Sequence, residues 1–225
     1  MSVGRIVIAL ICLATSARGE TNDVAAFLKR LSATTAKAET LCVEFVQERH
    51  LALFDEPLKT EGVLVFQKPN AIRWEVTKPY RSILVAAAGN AVQFEENDGK
   101  WKRIDLSYMK SIPNFVQGMA LFLEGKYAER PDEYDFELRH DNGPVLVLKP
   151  KQKMAKQFIA AFELHFGEDL GAGARQVVMR QPDGDWTSIR FSNQVANAKL
   201  PAGTFDTQTP KDIGEVQKAV RDASR

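Results

Sequence analysis

The sequence predicts a mainly β fold, one large and strongly curved antiparallel sheet of about ten or eleven strands. Three observations carry this. From Leu41 onward apolar residues recur with a period of two rather than the helical period of about 3.6. The alternating runs are short and are broken by turn chemistry at Asp55-Glu56-Pro57, Lys68-Pro69-Asn70, Lys78-Pro79-Tyr80, Gly89-Asn90, Asn97-Asp98-Gly99, Asp141-Asn142-Gly143 and Pro182-Asp183-Gly184. No long helical pattern lies between successive runs, which favours hairpin-connected neighbours over parallel crossovers.

Met1 to Gly19 carries one basic residue near its start (Arg5), an apolar run from Ile6 to Ala14, and small residues at Ala17 and Gly19. This is the pattern of a secretory signal peptide cleaved near residues 17–19. The run is well short of the roughly 20 residues of a membrane-spanning helix. Ile11 stands before Cys12 where a lipidated leader has a small residue. The processed chain is therefore expected in solution outside the cytoplasm, with residues 20–210 as one domain and 211–225 as a tail. Of the two cysteines, Cys42 is then the one left, so no intramolecular disulfide can form and folding rests on an apolar core. Loss of Arg5 and Arg18 takes the 30 basic residues to 28 against 29 acidic ones, a balance that offers nothing to nucleic acid.

Asn22 and Asp23 can cap a helix over Asp23–Leu31, in which Val24, Phe27, Leu28 and Leu31 share a face. Strands are expected at Leu41–Gln47, Thr60–Phe66, Ala71–Val76, Ser82–Ala87, Ala91–Glu95 and Trp101–Asp105. They resume at Tyr134–Leu138, Val145–Leu148, Ala155–Phe166, Arg175–Arg180 and Trp186–Phe191. In Ala71–Val76, Ile72 and Trp74 point to one face, which is apolar, while Arg73 and Glu75 point to the other, which is expected to be wet. Between the two sets of strands, Ile112–Leu123 is apolar nearly all round and reads as a helical segment that covers an apolar surface. The tail places Ile213, Val216 and Val220 at helical spacing.

Chemistry is sparse. His50, His140 and His165 are far apart, without carboxylates or thiols at metal-binding spacing, and no nucleophile elbow, zinc-protease or phosphate-loop motif occurs. Glu95, Glu96 and Asp98 cluster at a hairpin tip, where a hydrolase would be the catalytic reading and a solvated tip the ordinary one. The apolar set Phe45, Ile72, Trp74, Phe94, Phe158 and Phe162 can be either a β core or a ligand surface; Phe115, Met119, Leu121 and Phe122 can be either a core helix or a lid. Periodicity alone does not separate these readings.

The chain resembles the LolA-type periplasmic lipoprotein carriers along essentially the whole processed sequence. The resemblance runs through the Leu41–Gln47 strand, the hairpin Gly62–Pro69 and Asn70–Trp74, Pro79 followed by Ser82-Ile-Leu-Val85 and Gly89-Asn90, and the Ile112–Leu123 segment. It continues through Val147-Leu-Lys-Pro150, Phe162–Gly167 and Phe205–Pro210. It implies an incomplete, half-open β-barrel whose apolar cavity is covered by a helical lid. It also implies a task in the periplasm: binding the acyl chains of lipoproteins released by an inner-membrane exporter and passing them to an outer-membrane acceptor. No cofactor, metal or reaction is implied, and the protein is expected to be a monomer. By the family pattern Ile72, Trp74 and Leu84 fall on lining positions, beside Phe45, Phe94, Phe122, Phe158 and Phe162. Lys68, Phe115, Met119 and Leu121 fall to the lid contact. Where the family typically places an arginine before the hairpin proline, this chain has Lys68, a point charge without the planar fork. That departure leaves a related carrier of another lipid or glycolipid, working with a different transporter, as the alternative, with a small periplasmic hydrolase behind it.

Overall fold

The computed structural model describes residues 17–108 and 125–210, together with Gly214 and Lys218. Eleven strands form one antiparallel sheet: β1 (Thr40–His50), β2 (Leu58–Gln67), β3 (Ala71–Lys78), β4 (Ser82–Ala87), β5 (Asn90–Asn97), β6 (Lys100–Asp105), β7 (Tyr134–His140), β8 (Pro144–Pro150), β9 (Ala161–Phe166), β10 (Ala174–Arg180) and β11 (Trp186–Ala196). Their order is β6-β5-β4-β3-β2-β1-β11-β10-β9-β8-β7, two meanders joined where β11 pairs with β1. The edge strands β6 and β7 do not pair with each other, so the barrel stays open. Exposed Lys100, Lys102 and Arg103 on β6 blunt one edge against pairing with a second chain. Bulges in β1, β10 and the β2–β3 pair break the ladder and bend the strands that carry them.

Helix α1 (Ala17–Thr35) lies against one face, here the inner face. Its Phe27, Leu28 and Leu31 are buried on Leu146, Leu148, Leu164 and Phe166 of β8 and β9. The Phe27 and Phe166 rings meet edge to face at 5.4 Å. The helix runs past both ends of the expected Asp23–Leu31 segment, so Asn22 and Asp23 sit within it rather than at its start. An uninterrupted run of residues without proline or glycine other than Gly19 leaves the chain free to continue helical in both directions.

The strand expected at Ala155–Phe166 is shorter. A single helical turn α2 (Lys153–Lys156) precedes it, and β9 starts at Ala161. Within β9 the alternation holds: Phe162, Leu164 and Phe166 face inward, and Glu163 and His165 outward.

Part of the outer face is not wet. The segment after β11 folds back across it: Ala198, Leu200 and Phe205, with Val195 of β11, cover Cys42, Val63 and Val65, and Phe205, with Trp101 of β6, covers Ile83, Val85, Val92 and Phe94. Arg73 and Glu75 lie beneath this segment with side chains 0% and 3% exposed. Arg73 donates to Glu75 Oε2 from Nε at 3.0 Å and from Nη2 at 2.6 Å, and from Nη1 to the Thr204 carbonyl at 3.2 Å. A buried charge must be paired and hydrogen-bonded, and this pair is paired intramolecularly and tied to the returning chain. Arg103 Nε donates to the Thr207 carbonyl at 2.8 Å, and Thr40 Oγ1 to the Ala198 carbonyl at 2.9 Å. In the tail, Gly214 and Lys218 are helical.

Candidate functional site

The inner face is continuous in register from β5 to β8. Ile72 lies opposite Phe66 and Ala86, Trp74 opposite Leu64 and Leu84, and Phe45 opposite Gly62 and Phe191. Across β11 and β10 the same face carries Ile189 and Val177, and then Leu164 and Leu146. Because facing residues of antiparallel neighbours share a side of the sheet, this row forms a single apolar surface of aliphatic and aromatic side chains.

The depth of these residues divides them. Phe45, Ile72, Leu64 and Phe66 are fully buried and form a floor, while Leu41, Trp74, Leu106, Ile189 and Phe191 pack on it half-buried. Leu84 is half-buried on the same face. The Phe45 and Trp74 rings are 4.3 Å apart and tilted by 37°. Gly62 makes that pair fit: a Cβ there would lie 2.7 Å from the Phe45 ring and 1.9 Å from the Glu75 carbonyl oxygen. On the other half of the face α1 covers the floor, and Phe162, Phe136 and Leu138 are half-buried beside it, Phe162 edge to face with Tyr134 at 6.5 Å.

Two expected lining residues are elsewhere. Phe94 pairs with Ile83 and Arg103 and points to the outer face, under Phe205. The register sets this: Gln93 is the β5 residue opposite inward-facing Leu84, so Phe94, one residue on, faces outward. Phe158 precedes β9 and is exposed at the end of α2. Phe115, Met119, Leu121 and Phe122 lie outside the described residues. Ile189, Phe191, Phe136 and Val177 join the face although the sequence did not single them out. The signal that could have found them is pairing with an already assigned strand.

Lys68, at the tip of the β2–β3 hairpin, reaches α1. Its Nζ donates to the Ala36 carbonyl at 2.7 Å, lies 3.7 Å from Glu39 Oε1, and is largely covered. A cation placed on the last carbonyls of a helix meets the negative end of its dipole. The hairpin is thus latched to the end of the helix that covers the inner face.

Among the described residues no group of histidine, cysteine and carboxylate side chains could hold a metal ion, and no helix is long and apolar enough to cross a membrane. Cys42 is buried, and its burial pushes the thiol up to about 11, far from a reactive thiolate. Glu95 and Glu96 are followed by the exposed Asn97–Gly99 tip, and Glu96 pairs with Arg81 at 3.0 Å. An open groove of about 600 Å³ runs on the outer face between Thr40, Gln67 and the Leu200–Asp206 segment. Its walls mix polar and apolar groups, and the sheet separates it from the inner face.

These features define a class: an open antiparallel half-barrel with an apolar inner face and a helix laid against part of it. Residues 36–208 match the family model described as outer membrane lipoprotein carrier protein LolA. An outer-membrane lipoprotein carrier protein of Pseudomonas syringae pv. syringae is 24% identical over 203 residues, 90% of this chain and 91% of that protein. Another from Legionella pneumophila is 25% identical over 174 residues, 72% of this chain and 76% of that protein. Among solved structures, a LolA superfamily protein from Nitrosomonas europaea covers 81% of this chain and 96% of its own, with 11% identity and a TM-score of 0.42. On the family model, the chain belongs to the LolA family.

Proposed function

We propose that the protein is a periplasmic carrier that holds the acyl chains of lipoproteins against its inner face and takes them from the inner to the outer membrane. The observation that carries this reading is the inner face itself: half-buried Trp74, Leu84, Ile189 and Phe191 over a closed apolar floor, in a sheet that is not closed into a barrel. Removing a dozen methylenes from water is worth about 10 kcal/mol, so an acyl chain crossing an aqueous space needs such a surface. Membership of the LolA family supports the same reading. An inner-membrane exporter complex would load the cargo and an outer-membrane acceptor would receive it. The leader to residues 17–19 would deliver the chain to the periplasm, and the domain would span residues 20–210. Lys68 would hold the hairpin and α1 together while the cargo is bound, with Ile112–Leu123 as the lid.

The test is release of a lipoprotein from spheroplasts into a soluble complex with the purified protein. Wild type is expected to release it, Trp74→Glu and Leu84→Glu to lose most of the yield, and Arg190→Glu, on the exposed outer face, to keep it. Extraction of another lipid without lipoprotein would favour the related carrier that Lys68, in the arginine position, suggests. Release of neither would sink the carrier reading.

A further inference from the structure

The exposed large hydrophobic side chains among the described residues are unevenly placed. They are Leu53, Phe54, Leu58, Tyr80, Tyr108, Met154 and Phe158. His50 at the end of β1 pairs with Trp186, Trp186 with Arg180, and Arg180 with Ala161 at the start of β9. The β1–β2 loop, the β3–β4 turn and the β8–β9 loop therefore share one rim of the sheet, and all of these side chains except Tyr108 lie on it. The Lys68 hairpin tip and the end of α1 are at the opposite rim.

On the shared rim, α2 and the residues after it carry a particular chemistry. Met154 is 75% exposed and Phe158 66% exposed, four residues apart on one helical turn and its end, so they project together. The turn is held in place: Lys156 N donates to Gln152 O, Phe158 N and Ile159 N to Ala155 O, and Ala160 N to the β10 carbonyl of Arg180. Segment 151–160 has Lys151, Lys153 and Lys156 and no acidic residue. Lys151 is engaged with Asp135 and the Pro131 carbonyl, whereas Lys153 and Lys156 form no ion pair among the described residues.

We propose that this rim docks on an anionic phospholipid bilayer, with Met154 and Phe158 inserted at the interface and Lys153 and Lys156 on the lipid phosphates. Two apolar side chains flanked by lysines, on a small turn held by backbone bonds, match what an interfacial anchor needs: modest apolar insertion plus attraction to negative headgroups. A protein partner is less well matched. A stable protein interface takes about 800 Å² of continuous surface per side, and here the apolar groups stand on separate loops. The β1–β2 loop brings Leu53 and Phe54 to the same rim, but its Asp55 and Glu56 oppose an anionic surface, as do exposed Asp132 before β7 and Asp183 on the β10–β11 turn, so the contact is confined to α2 and the residues up to Phe158. The inference does not depend on what the inner face carries.

The experiment is vesicle flotation with the full chain expressed and its soluble form purified. The protein is expected to float with vesicles of phosphatidylethanolamine and phosphatidylglycerol, much less with phosphatidylcholine alone, and to be released by salt. Met154→Ser with Phe158→Ser should lower partitioning at least about tenfold, and Lys153→Gln with Lys156→Gln about 25-fold, roughly fivefold per lysine. Tyr108→Ser, on the far rim, should leave it unchanged. No binding to the phosphatidylglycerol vesicles, equal binding to phosphatidylcholine, or wild-type binding by either double variant overturns the proposal. Lipoprotein release from spheroplasts, measured on the same preparations, reports separately on the inner face.

Discussion

Replacing Arg73 by methionine removes the guanidinium that meets the Glu75 carboxylate beneath the Leu200–Phe205 segment. The pair is almost wholly excluded from water, with side chains 0% and 3% exposed, and Arg73 also donates to the Thr204 carbonyl. Removing one partner leaves a buried carboxylate without its cation, and such a change costs about 3–5 kcal/mol. With a urea dependence of about 2 kcal/mol per molar, the unfolding midpoint should fall by roughly 2 M. The double variant Arg73→Met with Glu75→Leu removes both charges and should recover most of the loss, because a well-packed apolar replacement of a buried ion pair is often neutral. Equilibrium urea unfolding followed by tryptophan fluorescence reads all three proteins. A single variant within about 1 kcal/mol of wild type, or a double variant no better than the single, would show that the outer face under the returning segment is wet and refute the reasoning.

Gly62→Ala should cost about 3 kcal/mol or more, since its Cβ would overlap the Glu75 carbonyl at 1.9 Å and no rotamer can relieve a backbone clash; an unchanged melting temperature would contradict this. Cys42 is fully buried with its thiol pushed up to about 11, so alkylation by iodoacetamide at pH 8 should wait for unfolding. Labelling of the folded protein at the rate of a free thiol would be the contrary result. Hydrogen bonding from Arg180 holds the Glu163 carboxyl below its ordinary value. The folded value lies below the unfolded one, so this contribution is present at neutral pH and lost as the pH falls through the carboxylate range. Glu163→Gln should therefore be less stable by about 1–2 kcal/mol at pH 7, with the gap closing below about pH 4. A gap independent of pH would exclude the ion pair as its source.

The strands were legible because alternation and turn residues agree along the chain, and every expected strand has its counterpart among the eleven. Which face each strand turns to the inside was less so. Alternation fixes parity within one strand, but the relation between strands is set by register, and the β5 register that sends Phe94 outward is invisible in the β5 sequence alone. Arg73 and Glu75 read as solvent-facing because no local pattern announces that a segment over 120 residues later will cover them; their burial follows from the long-range contact with Thr204. Phe158 reads as strand because Phe158, Ala160 and Phe162 alternate, while the α2 turn forms from residues of good helix propensity, Lys153 to Lys156.

The central claim is that acyl cargo lies on the inner face, and it is tested most directly by site-specific photo-crosslinking. A benzophenone side chain at Leu84, half-buried on the inner face, should crosslink to a co-expressed lipoprotein and lose that adduct when the lipoprotein lacks its acyl chains. The same group at Arg190, exposed on the outer face, should give none. An adduct from Arg190 and not from Leu84, or one that forms equally without acyl chains, would contradict the account.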